Sequence, residues 1–215
     1  MSESKPITFY NHTAGPNPRK ITILFDELNV PYEKIDIANP KEEAYLAVNP
    51  NGRLPAIHDP NTGLTIWESA AIMEYLVDRY DKDNKLGPTT EADKWTLKQY
   101  MYFQMSGQGP YFGQYVWFNV YHPEDVPSAK ERYAAQTERV WGVLDKVLEG
   151  KQYLLGDRIT YVDLAFVPWD VIALTFKDGA LVKEYDPENK YPNFFAWHKR
   201  LMERPSVKKA YAPSQ

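Results

Sequence analysis

Cysteine is absent from all 215 residues, which excludes disulfides, thiolate metal sites and a thiol nucleophile supplied by the chain itself. No block of Lys and Arg stands out and the formal net charge is −4, so the basic footprint that a phosphate-backbone partner requires is missing. No apolar run approaches the ~20 residues of a membrane span, and no basic-then-apolar leader opens the chain. The four histidines, His12, His58, His122 and His198, have neither i, i+4 nor short-loop spacing, so no metal site is expected. Together these absences predict a soluble, cytoplasmic protein with no nucleic-acid or membrane partner.

Aromatic residues, by contrast, are abundant: 16 Tyr, 9 Phe and 6 Trp. Such a surplus serves densely packed helices or a pocket for flat ligands. The length suits one large domain or two modest ones with a sizeable core.

Along the chain, Ile7 and Phe9 alternate with Thr8 and Tyr10 as a short strand. The loop NHTAGPNP follows. Ile21, Leu24, Phe25 and Leu28 then mark one face of a helix, with Asn17 as N-cap and Pro18 at the first helical position. Pro31 ends this region, and Glu33 to Ile37 reads as a second strand. A short helix is expected within Asn39 to Leu46. Leu54-Pro55-Ala56-Ile57 opens a third strand, Asp59 to Gly63 turns, Leu64 to Ile66 forms a fourth, and Trp67-Glu68-Ser69 opens a helix burying Ile72, Met73, Leu76 and Tyr80. A helix between the first two strands predicts a parallel pair, and the turn between the last two predicts a hairpin. Residues 1–80 are thus an α/β domain with a small mixed sheet.

Residues 81–91, DKDNKLGPTTE, are charged and poor in apolar side chains, and read as a linker. From 92 to 215 the strand signals stop and an all-α domain is expected. Its helices run from Ala92 to Gln108 and on through Tyr111 to Phe118, then Ser128 to Leu148, Thr160 to Phe176 and Pro192 to Met202, with a final turn from Pro205. Phe195, His198 or Trp197, and Leu201 are expected to face inward on the fourth. The third is apolar nearly all round, as a buried helix is. Thr160-x-x-Asp163 before it fits a capping box with a structural role.

Gly107, Gly109 and Gly113 resemble a phosphate-binding loop only superficially, because they follow a helix rather than a strand and include Pro110. A kink or a close helix contact accounts for them better. Two other spots carry more chemistry. A residue before proline is driven extended, so Leu54 offers a strand edge to which an extended peptide could pair; an ordinary strand-opening proline is the alternative. Ser69 at a helix start either caps it or, with the helix N–H groups, holds a carboxylate. Glu68 beside it would hold an ammonium group, and a zwitterionic amino-acid end needs that pair side by side.

These residues, VNPNGRLPAI followed by WESAAIMEYL, resemble the thioredoxin-like domain of glutathione transferases, and GDRITYVDLAFVPW resembles the family's buried-helix motif. AGPNPRKITILFDEL, QMSGQGPYFGQ and AKERYAAQTERVWGVL are similar to the fungal nitrogen-regulator-like branch and its bacterial Nu-class relatives. The resemblance implies a thioredoxin-like N-terminal domain plus an all-α C-terminal domain, in a homodimer that uses glutathione as co-substrate and no metal. It implies that Leu54, ahead of a cis Pro55, holds the cysteinyl backbone, that Glu68 and Ser69 hold the γ-glutamyl end, and that Arg53 or Lys41 reaches a carboxylate. Asn17 matches the asparagine facing the glutathione sulfur, with Tyr10 and Thr13 as lesser rivals. The second substrate, a hydrophobic electrophile or a disulfide, is expected between the domains against Tyr111, Phe112 and Tyr115, with Trp117 and Phe118 in the same cluster.

The chain departs from the family pattern twice. Gly15 stands where bacterial relatives carry threonine, and Pro16-Asn17-Pro18 replaces Pro-Asn-Gly, removing one N–H donor. An amide donor still suffices. A helix N-terminus favours an anion by ~0.3–1 kcal/mol and a hydrogen bond to a charged group adds ~1.5–3 kcal/mol. With ~1.4 kcal/mol per pH unit, these bring a thiol from ~8.5 to about 7. The expected activity is thiol activation for conjugation, disulfide reduction or peroxide reduction. The alternative is a non-catalytic regulator or carrier of hydrophobic ligands; the Asn-rich N-terminal extension of the yeast regulator is not in the sequence.

Overall fold

The computed structural model describes residues 5–13 and 15–212. Two compact units divide it: residues up to Gly87 with those from Pro205 on, and Pro88–Arg204.

The first unit is built on β1, Ile7–Asn11, whose alternation puts Ile7 and Phe9 in the core at 0% exposure. β1 pairs in parallel with β2, Tyr32–Asp36, and antiparallel with β3, Ala56–Asp59, which forms a hairpin with β4, Leu64–Trp67. The strand order is β2-β1-β3-β4. β2 is an exposed edge strand: Ile35 is 44% exposed, because the apolar face of the unit is carried by β1 and the helices.

Between β1 and β2 runs α1, Pro16–Leu28, which buries Ile21, Ile23, Leu24 and Phe25. The expected cap is corrected here. Gly15 has the extended N-cap backbone and Pro16 the first helical position, so Asn17 lies one residue inside the helix. Proline favours that first position because its missing N–H would be unsatisfied there anyway. The helix ends at Asn29, in the left-handed conformation with φ 52°, before Pro31 is reached.

After β2 come α2, Glu43–Leu46, and the hairpin, and then α3, Ser69–Tyr80, which buries Ile72, Met73, Leu76 and Val77, while Tyr80 stays half-buried. Tyr80 is held at the hairpin instead: its hydroxyl and that of Tyr75 both donate to Asp59, which also accepts from the Asn61 backbone. Burial pushes the Asp59 carboxyl up, but these hydrogen bonds outweigh it and leave the pKa below the usual range.

The segment read as a linker is partly structure. Asp81 accepts from the N–H groups of Lys85, Leu86 and Gly87 at 2.7–3.0 Å, and Leu86 is buried. At the other end of the chain, α10, Pro205–Tyr211, belongs to the first unit and not to the helical one. It packs on α1, where Lys209 pairs with Asp26 at 2.6 Å and Arg19 lies over the Tyr211 ring at 4.4 Å.

The second unit is helical. α4, Glu91–Phe103, runs through a π-helical turn, Gln104–Gln108, into α5, Gly109–Val120. The glycines here accommodate a side chain: a Cβ on Gly113 would stand 3.3 Å from the Trp169 ring, and one on Gly109 3.4 Å from its Nε1. The extra residue of the π turn is anchored by Gln108, which donates to Asp170 at 2.7 Å and to the Phe166 carbonyl at 3.2 Å.

α6, Pro127–Leu148, buries Thr137, Val140, Trp141, Leu144 and Leu148. α7, Tyr161–Tyr185, is buried through most of its first half and breaks at Phe176–Gly179, where the backbone is non-helical. Its start carries the capping box of Thr160 and Asp163. α8, Pro187–Lys190, leads into α9, Pro192–Met202, which turns Phe194, Trp197, His198 and Leu201 inward; Phe195, expected in the core, is one position off that stripe and partly exposed.

Candidate functional site

A polar hollow of about 260 Å³ opens in the first unit, lined by Asn17, Asn49, Asn51, Arg53, Leu54, Pro55, Glu68 and Ser69. Three local devices bring these residues together. α1 begins on one side with two prolines flanking Asn17, so among its first three residues only Asn17 carries a backbone N–H. The turn 49–53 is folded on itself: the Asn49 side chain accepts from Asn51 N at 3.0 Å and donates to the Arg53 carbonyl at 2.7 Å. That carbonyl also accepts from Tyr45 Oη at 2.7 Å. Leu54 and Pro55, joined by a cis peptide bond, lead from this turn into β3.

The third device is the start of α3. Glu68 occupies the N-cap position with φ 74° and ψ 118°, a region costly for a non-glycine residue by roughly 1–3 kcal/mol. This backbone leaves the Glu68 side chain exposed while Ser69, the first helical residue, is 2% exposed. The hollow thus presents a carboxylate and a hydroxyl side by side, with the positive end of a helix dipole behind the hydroxyl.

Lys20 lies beneath the hollow. It stands one turn after Asn17, is 1% exposed, and its ammonium donates to Ser69 Oγ at 3.3 Å. Burial pushes its pKa down to about 7, opposed by the negative charge of Glu68.

Of the residues singled out in the sequence, Asn17, Arg53, Leu54, Pro55, Glu68 and Ser69 all line the hollow. Lys41 does not; its ammonium is bound to the Asn51 carbonyl at 3.1 Å and braces the turn from outside. The rival thiol partners lie elsewhere. Tyr10 lines a separate, larger hollow of about 450 Å³ with Tyr45 and Asp36, and Thr13 is exposed with its carbonyl accepting from Arg19.

Tyr111, Phe112 and Tyr115 sit on α5 in the second unit. Phe112, 1% exposed, meets Trp141 edge-on, and Tyr115, 7% exposed, meets Phe176, so both are core residues of the helical unit. Tyr111 is less buried, facing Tyr133 and Arg139.

Sequence reasoning missed Asn49, Asn51 and Lys20. A signal existed for the last: Lys20 interrupts the apolar face at a position next to Ile21, where a charge needs a reason. The described residues hold no group of three or more His, Asp or Glu arranged for a metal ion, and no helix among them is long and apolar enough to cross a membrane.

Comparison with known proteins agrees with this architecture. Residues 14–79 match the glutathione S-transferase N-terminal domain and residues 110–205 the C-terminal domain. The glutathione S-transferase-like protein gedE of Aspergillus terreus is 44% identical over 97% of this chain and 96% of its own. The glutathione transferase Ure2p6 of Phanerochaete chrysosporium, solved in complex with oxidized glutathione, superposes with a TM-score of 0.89 at 46% identity, covering 98% of this chain and 97% of that one. Ure2p5 of the same organism, cocrystallized with 1-(S-glutathionyl)-2,4-dinitrobenzene, has a TM-score of 0.87 at 39% identity, covering 97% and 94%. With matches of this extent in both domains, the chain belongs to the glutathione S-transferase family, in its Ure2-like branch.

Proposed function

We propose that the chain binds glutathione in the hollow between α1, the 49–55 turn and α3, and lowers the pKa of its thiol for transfer to a second substrate. The observation that carries this reading is the pairing of Glu68 and Ser69 on one wall with Asn17 on the same hollow. Glu68 holds the γ-glutamyl ammonium and Ser69 its carboxylate, while the Leu54 main chain pairs with the cysteinyl residue. Arg53, at the hollow, is placed for the glycyl carboxylate, with Lys41 as a brace of the turn rather than a ligand. Asn17 then donates its side-chain amide to the thiolate.

The thiol needs no base under this arrangement. A charge-assisted hydrogen bond of ~1.5–3 kcal/mol with the α1 dipole at ~0.3–1 kcal/mol brings the thiol pKa to about 7, so that the thiolate is a substantial fraction at neutral pH. The thiolate attacks the electrophilic carbon of a conjugation substrate, expelling its leaving group, or one sulfur of a disulfide, breaking the S–S bond and releasing the other sulfur as a thiolate. Since the chain has no cysteine, any disulfide exchange runs between glutathione and the substrate. The relatives solved with oxidized glutathione and with a dinitrophenyl conjugate make both outcomes the first to assay. The reading extends, on the family resemblance, to a cytoplasmic homodimer.

The test is calorimetry with glutathione, paired with conjugation of 1-chloro-2,4-dinitrobenzene and reduction of a mixed disulfide of glutathione. Micromolar-to-millimolar binding with turnover in at least one assay is expected. Binding without turnover in either would leave a carrier or regulator, and no binding would remove the reading altogether.

A further inference from the structure

Lys20 has no part in the scheme above, yet it is the buried charge closest to it. Its ammonium is nearly inaccessible and reaches Ser69 Oγ at 3.3 Å. A lysine buried this deeply is destabilising unless a function or a partner retains it. When protonated the group has only donors, so Ser69 Oγ then accepts from Lys20 and its own O–H is directed to the ligand.

We propose that Lys20 is a positioning residue of the glutathione site, holding Ser69 from below as a donor to the γ-glutamyl carboxylate, and that binding this carboxylate draws a proton onto Lys20. The inference rests on the proposed glutathione site. The physical cause is a balance between burial and charge. Without ligand, burial favours the neutral amine and the negative charge of Glu68, at the start of α3, opposes it, giving a pKa of about 7. On α10, which also packs on α1, Lys209 pairs with Asp26, Ser206 donates to Glu27 and the Tyr211 ring lies under Arg19. On α3 itself Tyr75 and Tyr80 are turned to Asp59. A ligand carboxylate on Ser69 adds a negative charge one hydroxyl away from the buried amine and therefore favours its protonated form.

The sign is specific. With a ligand-bound pKa raised above the free value, binding takes up protons in the interval between the two and weakens as pH rises through it. Binding a thiolate has the opposite sign, since it releases a proton, so the probe is S-methylglutathione, which has no thiol.

Calorimetry at about pH 7.5 in two buffers of different ionisation enthalpy is the experiment. The expected enthalpies differ between buffers by an amount reporting uptake of roughly half a proton or more. Lys20→Met, which keeps the length and removes the charge, is expected to abolish the uptake and weaken binding about tenfold, ~1.4 kcal/mol, with thermal stability equal to or above wild type. A lysine acting only as a structural strut would instead lose stability and keep the affinity of the folded fraction. Buffer-independent heats in wild type, or unchanged affinity in Lys20→Met, overturn the inference. Wild-type heats decide the matter should Lys20→Met not fold. Absence of any heat with S-methylglutathione in either buffer is a different failure, that of the glutathione site itself.

Discussion

The indole N–H of Trp197 donates to Asp163 at 2.9 Å, joining the middle of α9 to the first turn of α7 inside the helical unit. The same carboxylate accepts from Leu154 N at 2.9 Å and from both Thr160 N and Thr160 Oγ1 at 2.8 Å. Asp163 is therefore a cap, a loop anchor and an inter-helix tie in one side chain. Asp163→Ala leaves several buried donors unsatisfied and is expected to lower the unfolding free energy by ~3 kcal/mol or more. Thr160→Val, which removes one hydroxyl, should cost about 1–2 kcal/mol. Urea denaturation followed by tryptophan fluorescence measures both, and a loss under 1 kcal/mol for Asp163→Ala would contradict the assignment.

His198 predicts a pH dependence of stability. Burial pushes its pKa down to about 4, and its Nδ1 has no hydrogen-bond partner among the described residues. The folded chain thus holds a neutral ring where the unfolded chain holds an ordinary one. Stability from this group is complete above about pH 6.5 and falls as pH drops toward 4, by on the order of 3 kcal/mol in total. His198→Leu should flatten the stability profile in that interval. Unfolding curves at four pH values for the two proteins give the comparison, and parallel profiles would assign the slope to other groups.

Gly113 and Trp169 predict a coupling. With only 3.3 Å between a new Cβ and the indole, Gly113→Ala forces the ring to shift and should cost about 1–2 kcal/mol. In a Trp169→Leu background the same change should be nearly neutral. The double-mutant cycle then yields an interaction energy of about 1 kcal/mol, and strict additivity would show that the ring adjusts freely.

For catalysis, Asn17→Ala should lower the rate of conjugation about 10- to 100-fold at neutral pH and move the pH–rate profile upward by one to two pH units, matching loss of ~1.5–3 kcal/mol to the thiolate. Asn17→Asp should be worse, since a carboxylate repels the anion. Ultraviolet absorbance of bound thiolate against pH reads the thiol directly. An unchanged profile would shift the role to the Asn17 backbone N–H and the α1 dipole.

Glu68→Gly separates binding from stability. It relieves a positive φ of 74° and is expected to leave stability equal or higher, while removing the ammonium partner weakens glutathione at least tenfold, ~1.4 kcal/mol. Equal affinity would remove Glu68 from the site.

Much of the architecture was legible because it follows from local rules. Alternation at Ile7 and Phe9, the Asp59 to Gly63 turn, and the Thr160-x-x-Asp163 box each specify their element through nearby residues alone. The failures fall where distant residues decide. Asn17 looked like a cap because Pro18 follows it, but Pro16 takes the first helical position two residues earlier. Nothing in the alternation of Glu33 to Ile37 says that β2 is an edge, which only the strand order shows. Phe112 and Tyr115 carry aromatic rings suited to a pocket, and only the positions of Trp141 and Phe176 show that they are core. Lys20 is the same kind of case, since its partner is 49 residues away.

The return of α10 to the first unit has a consequence for biosynthesis. This helix is translated after the whole of Pro88–Arg204, so the sheet unit leaves the ribosome without the helix that covers α1. The first unit is therefore assembled from two stretches separated by an entire second unit, and a gene fragment ending at Gly87 encodes a sheet without the helix that packs on α1.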